Sequence, residues 1–258
     1  MKDPKERFSD RVDYYIKYRP TYPSQIIKLL ESKCGLTQKK IVADIGSGTG
    51  ILSKIFLNYG NKVFAVEPNR EMRLAAEKLL KNDRNFVSIN AAAENTGLKT
   101  NSIDLITAGQ SFHWFNLKKV KREFNRILRN EGWIVLIWNV RQINSTPFMM
   151  AYEELLLKHA LEYQTVSHKN LDLDIIGDFF APTSFEVVTY KNNGAFDYEG
   201  LLGRVLSSSY APKEGDEGYK QMISDLKATY KKFEIDGTIE FEYKTELYYG
   251  QLKESFDD

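Results

Sequence analysis

Two carboxylates and three glycines stand at spacings that suit a ligand carrying both a sugar and a charged tail. Asp44 lies two residues before Gly46 in Asp44-Ile45-Gly46-Ser47-Gly48-Thr49-Gly50, and Glu67 follows 21 residues after that first glycine. Glycines let a ligand's polar groups come against bare backbone, and a helix start behind them offers unpaired N–H groups and a partial positive charge. A dinucleotide fingerprint would need its third glycine at position 51, which is Ile51, so the pattern is G-x-G-x-G instead. Asp44 would repel a pyrophosphate and attract an ammonium group, while Glu67 can accept from both hydroxyls of a ribose. With no Lys or Arg in the glycine loop, the set favours an adenosyl group carrying an amino acid over one carrying phosphates.

The elements around these residues must hold them together. Ile41, Val42, Ala43 and Ile45 form a short apolar run, and beyond the glycines Ile51, Leu52, Ile55 and Phe56 recur at helical spacing. A second apolar run, Val63 to Val66, ends on Glu67, which makes a βαβ unit with a right-handed crossover. Further strands are expected at 86–89, 102–107 and 133–138, with helices at 69–80 and 118–128 between them; Asn130-Glu131-Gly132 should end the second helix. Beyond Arg141 helices are expected at 152–163, 173–180, 201–208 and 218–233, a sixth strand at 185–190, and an alternating antiparallel last strand at 240–249.

At four motifs the chain resembles the class I S-adenosylmethionine-dependent methyltransferases, and within them the small-molecule group that includes trans-aconitate methyltransferase. These are Asp44-x-Gly46-x-Gly48-x-Gly50, Glu67-Pro68-Asn69 with Met72, Asn90-Ala91-Ala92-Ala93-Glu94, and Asp104-Leu105-Ile106 leading to Phe112-His113-Trp114-Phe115. The resemblance implies a Rossmann-like, doubly wound α/β fold with a seven-stranded, mostly parallel sheet, an antiparallel last strand and helical lid insertions. It implies one domain, with a core of 36–140, 184–191 and 239–250, an N-terminal cap of 1–35, and lid insertions at 141–172 and 195–236. S-adenosyl-L-methionine is the implied cofactor. Its glycine turn would be Gly46, Gly48 and Gly50, with Pro68 and Met72 on the adenine side and Ala93 and Glu94 at the base edge. Met72 could equally be plain core.

The segment Tyr18-Arg19-Pro20-Thr21-Tyr22-Pro23 resembles a stretch that folds over the cofactor in relatives. Arg19 could meet the methionine carboxylate or a substrate acid, with Tyr18 beside it. The alternative is aromatic packing of an N-terminal helix. Gln110 opens the loop after the fourth strand, where ligands lie in open α/β sheets, and Phe112, Trp114, Tyr14 and Arg141 are the candidate substrate contacts. His113 is the histidine nearest this centre, either a general base or a hydrogen-bonded part of an aromatic loop. His159 and His168 lack metal-ligand spacing and read as structural or exposed, and no metal site is expected. Tyr198, Arg204 and Tyr210 are possible lid-lining residues.

Thirty-six Lys and Arg against 35 Asp and Glu leave a net charge of +1, so no strong field draws the chain to nucleic acid or a membrane. The loop after the fourth strand is aromatic where a DNA amine methylase would carry an Asn/Asp-Pro-Pro tetrapeptide. The single cysteine, Cys34, excludes an internal disulfide and reads as packing. A charged start without an apolar core points to a cytoplasmic protein, monomer or homodimer. The sulfonium methyl is already activated, so the chain needs to align an acceptor behind it and exclude water. A carboxylate acceptor needs no base; a phenol or amine would use His113. The rival readings are a nicotinamide-dependent oxidoreductase and a binding module that holds S-adenosylmethionine without transferring its methyl.

Overall fold

The computed structural model describes residues 12–160, Tyr163 and residues 173–252. The first eleven residues of the expected cap, most of 161–172 and with them His168 lie outside the described residues.

In chain order α1 (Val12–Tyr18) and α2 (Gln25–Cys34) precede β1 (Ile41–Ile45), α3 (Ile51–Tyr59), β2 (Lys62–Val66), α4 (Arg70–Leu80) and β3 (Phe86–Ile89). There follow β4 (Ile103–Gly109), a 3-10 turn at Phe112–Trp114, α5 (Leu117–Ile127), β5 (Leu128–Arg141) and α6 (Pro147–His159). The chain continues through α7 (Leu173–Phe180), β6 (Phe185–Lys191), β7 (Gly194–Phe196), α8 (Tyr198–Leu206), α9 (Tyr219–Phe233), β8 (Ile239–Phe241) and β9 (Tyr243–Gly250).

The large sheet has seven strands in the order β3-β2-β1-β4-β5-β9-β6, with β9 antiparallel to both its neighbours and the pairs from β3 to β5 parallel. Strand order reverses between β1 and β4, and the Gly46–Gly50 turn leaves β1 at that switch point. Successive side chains alternate between faces. Ala43, Ile45, Ile106, Ile134 and Leu136 feed one apolar cluster, whereas Val42, Leu105, Val135, Ile137 and Leu247 feed the other. Burial on both faces is why these strands read as continuous apolar runs.

Capping side chains set the helix boundaries that periodicity alone misplaces. Thr146 accepts from the Met149 N–H ahead of Pro147, so α6 starts five residues before the expected 152. Asp197 accepts from the Gly200 N–H and starts α8 three residues early. The expected stop at Asn130-Glu131-Gly132 is not a turn. Leu128 already pairs with Ile103, and the next pairing is Trp133 with Leu105, so the residues between bulge out of the strand.

α6, α8, α9 and the β7–β8 ribbon share an apolar cluster of their own, including Phe148, Tyr152, Leu156, Leu201, Val205 and Phe241. The expected run 240–249 is therefore two strands: Ile239–Phe241 pairs in this ribbon, and only Tyr243 onward joins the large sheet. Among the described residues no helix is long and apolar enough to cross a membrane.

Candidate active site

The turn after β1 is built by backbone that only glycine adopts easily. Gly46, Gly48 and Gly50 have φ of +67°, +57° and +82°. A Cβ on Gly46 would lie 2.6 Å from that of Ser111, so this turn packs directly on the loop after β4. A Cβ on Gly48 would meet nothing within 4 Å, so its backbone faces open space.

Two adjoining cavities run across this turn, sharing Tyr15, Gly46, Gly48, Gly109 and Gln110 in their walls. The larger, about 190 Å³, is walled by Glu67, Pro68, Met72, Ala93, Glu94 and Phe115 among others. The smaller, about 100 Å³, lies against Asp44, Arg19, Asn139, Arg204 and Tyr243. The larger cavity, with apolar walls and the acid Glu67, suits a nucleoside, and the smaller, charged one suits an amino-acid tail.

Glu67 is fixed by the turn it serves. Its Oε2 accepts from the Gly48 N–H and its Oε1 from the Asn69 N–H, both at 2.8 Å. Burial pushes its carboxyl up, against the pull of these two N–H groups. Asp44 is 1 % exposed, and its partners are the hydroxyls of Ser53 at 2.6 Å and Thr107 at 3.2 Å. Burial, only partly offset by those bonds, raises its carboxyl to about 6. Gln110 sits at φ +56°, unusual for a side chain larger than Asn, and its Nε2 donates to the Asn139 carbonyl at 3.2 Å.

Several polar atoms around the turn are buried with no partner among the described residues: Arg19 Nε, Ser47 Oγ and Thr49 Oγ1. Groups of this kind are costly unless a ligand meets them. Together with Asp44, Glu67 and the open face of Gly48, they fit a cofactor that presents an ammonium, a carboxylate and a ribose.

The expected site residues divide by position. Arg19, Asp44, Gly46, Gly48, Glu67, Pro68, Met72, Ala93, Glu94, Gln110 and Trp114 line the two cavities. Gly50 does not; a Cβ there would strike Leu80 of α4 at 2.7 Å, so it serves helix packing. Tyr14 and Tyr18 stack on each other one helical turn apart, and the cleft-facing pair of α1 is Tyr15 with Arg19, whose guanidinium lies 4.9 Å from the Tyr15 ring. Phe112 lies beneath the cleft, 1 % exposed, with its ring edge-on to Phe179 at 4.7 Å. His113 packs on Trp114 at 4.6 Å and is not among the residues that line either cavity. Arg141 ends β5, its side chain bonded to Glu153 and Tyr163 over the Tyr152 ring, and it lines neither cavity. His159 pairs with Asp225 at 2.8 Å in the helical layer.

Asn139, Arg204 and Tyr243 also line the cleft, and no local motif marks the first and third. Asn139 donates to the Thr21 carbonyl at 3.2 Å and accepts from Asn192 and Thr245, which ties the N-terminal segment to the sheet. Arg19 Nη2 donates to the Ser207 carbonyl at 3.0 Å and Arg204 Nη1 to the Ser208 hydroxyl at 3.1 Å, so two guanidinium groups meet at the end of α8.

A family model described as a methyltransferase domain matches residues 43–136. A Dictyostelium discoideum protein named as a methyltransferase is 32 % identical over 238 residues, covering 88 % of this chain and 86 % of the relative. A Schizosaccharomyces pombe protein, named as an uncharacterized methyltransferase, is 31 % identical over 152 residues; the match covers 58 % of this chain and 59 % of that protein. Among solved structures, one named as a type II methyltransferase from Anaeromyxobacter dehalogenans superposes with a TM-score of 0.64 at 18 % identity, covering 91 % of this chain and 98 % of that one. A phosphoethanolamine N-methyltransferase from Haemonchus contortus, solved with S-adenosylhomocysteine and phosphomonomethylethanolamine, superposes at 0.56 with 15 % identity, over 95 % of this chain and 58 % of that one. With the strand order, the glycine turn and these matches together, the chain belongs to the class I S-adenosylmethionine-dependent methyltransferases.

Proposed function

We propose that the protein methylates a small organic acceptor held between the glycine turn and the helical layer. The observation that carries this is the ring of buried, unmatched polar atoms on Arg19, Ser47 and Thr49 between Asp44 and Glu67, opening into a cavity roofed by α1 and α8. Bound there, S-adenosylmethionine supplies a methyl group already activated by its sulfonium sulfur. Glu67 accepts from the ribose hydroxyls, Asp44 faces the ammonium group, Arg19 pairs with the carboxylate, and Met72 packs on the adenine. The acceptor lies on the Asn139, Arg204 and Tyr243 side, where α8 and the N-terminal segment exclude water.

An acid is the first acceptor class to try, because an ionised carboxylate has no proton to lose. The near-zero net charge supports a reading without nucleic acid or membrane, and we place the protein in the cytoplasm as a monomer or homodimer. The test is incubation of the protein with cell extract and methyl-labelled S-adenosylmethionine, followed by identification of labelled small molecules. Label in a small organic compound is the expected result. Label confined to nucleic acid or protein would overturn the small-molecule reading, and tight cofactor binding without any transfer would favour a non-catalytic binding module.

A further inference from the structure

The cavity against Asp44 carries more positive charge than the cofactor can match. Its described charged lining residues are one carboxylate, Asp44, and two guanidinium groups, Arg19 and Arg204. Arg204 is 6 % exposed, and its partners are hydroxyls: Tyr243 through Nε, with Ser207 and Ser208 through Nη1. Among the described residues neither arginine has a carboxylate within ion-pair distance. Burial, and after it the nearby Arg204, lowers the Arg19 guanidinium from its ordinary range, as two crowded cations require.

S-adenosylmethionine brings an ammonium, a carboxylate and a sulfonium. Asp44 answers the first and Arg19 the second. The sulfonium and Arg204 then remain, two positive charges in one enclosed space with no counter-ion. Buried charge left unpaired is strongly unfavourable. A third partner with negative charge completes the set.

We infer that the acceptor carries a carboxylate and that Arg204 holds it, which makes Arg204 the residue that selects acidic acceptors. This rests on the methyl-transfer reading above. The described lining of the cavity contains no histidine or lysine, its carboxylate is assigned to the cofactor's ammonium, and its other ionisable side chains besides the arginines are the phenols of Tyr15, Tyr22 and Tyr243, a lining that suits an acceptor with no proton to lose. An ionised carboxylate is one. Its oxygen forms the new C–O bond to the methyl carbon as the C–S bond breaks, and the bonding pair stays on sulfur as a neutral thioether. The product is a methyl ester, with no proton released.

The test titrates protein loaded with S-adenosylhomocysteine with matched acid and amide pairs, benzoate against benzamide and fumarate against fumaramide. For wild type the acid of at least one pair should bind about tenfold tighter than its amide or more. In Arg204→Gln that preference should vanish while affinity for S-adenosylhomocysteine stays within about threefold. Arg204→Lys should keep part of the preference. Arg19→Gln should instead weaken S-adenosylhomocysteine. No acid preference in wild type overturns the proposal. So does an Arg204→Gln loss of cofactor affinity equal to that of Arg19→Gln. Should Arg204→Gln fail to fold, wild type and Arg204→Lys decide the matter by themselves. Failure of S-adenosylhomocysteine to bind wild type would instead bring down the cofactor reading underneath.

Discussion

Asp44 and Glu67 are both buried acids, and the backbone treats them differently. Glu67 accepts from two N–H donors, which anchor it to the turn. Glu67→Ala should therefore weaken S-adenosylmethionine binding by about 2 to 3 kcal/mol, since a charged acceptor to two hydroxyls is lost; calorimetry showing unchanged affinity would refute the ribose role. Asp44 leans chiefly on the Ser53 and Thr107 hydroxyls, with weaker help from the Ser53 N–H, and burial lifts its carboxyl from 3.8 to about 6. An acid raised in the folded state binds more protons folded than unfolded, so it costs stability as the pH rises from about 4 to 6, by up to about 3 kcal/mol. Wild type should lose more stability than Asp44→Asn across that window in denaturant titrations without ligand. An ammonium ligand prefers the ionised acid, so cofactor affinity should rise through pH 6 in wild type and stay flat in Asp44→Asn. Cys34 lies far from this chemistry, and burial pushes its thiol up to about 12. It should react slowly with alkylating reagents at pH 8 in the native protein and rapidly once unfolded.

At the scale of elements, the site depends on how α1 meets α8. A Cβ on Gly203 would fall 2.1 Å from the Tyr18 ring, so this contact requires glycine for space, at a residue one step before Arg204. Gly203→Ala should push α1 off α8, lower stability by about 1 to 3 kcal/mol and weaken S-adenosylhomocysteine through displaced Tyr15 and Arg19. A thermal melt and a binding titration check both; an alanine variant with native melting and native affinity would show that the two helices do not need this contact. Elements also show where sequence reading stops. The βαβ unit from Ile41 to Glu67 was legible because its strands, glycines and acid follow one another locally. Boundaries of α6 and α8 were not, because Thr146 and Asp197 act through single capping bonds that leave no periodic trace. Tyr14 and Tyr18 are expected at the ligand beside Arg19, and the phase of the helix turns Tyr15 there in their place, next to Arg19.

For the whole molecule, one half of the cavity lining comes from residues 44 to 115 and the other from 15 to 22, 139, 204 and 243. The first half could be read in order because one strand-turn-helix unit and its successors build it. The second half exists only after β9 inserts between β5 and β6 and brings Tyr243 beside the end of α8. This division explains why a methyl donor was readable from the chain while Asn139 and Tyr243 were not. It also explains why Phe112, His113 and Arg141, near the centre in sequence, fall outside the cleft. The most direct measurement is a crystal structure of the protein grown with S-adenosylhomocysteine. The ribose hydroxyls should lie on Glu67, the amino group should face Asp44, the carboxylate should sit on Arg19, and Arg204 should remain open toward the acceptor side. A ligand bound elsewhere, or one whose carboxylate occupies Arg204 and leaves Arg19 unused, would contradict this arrangement.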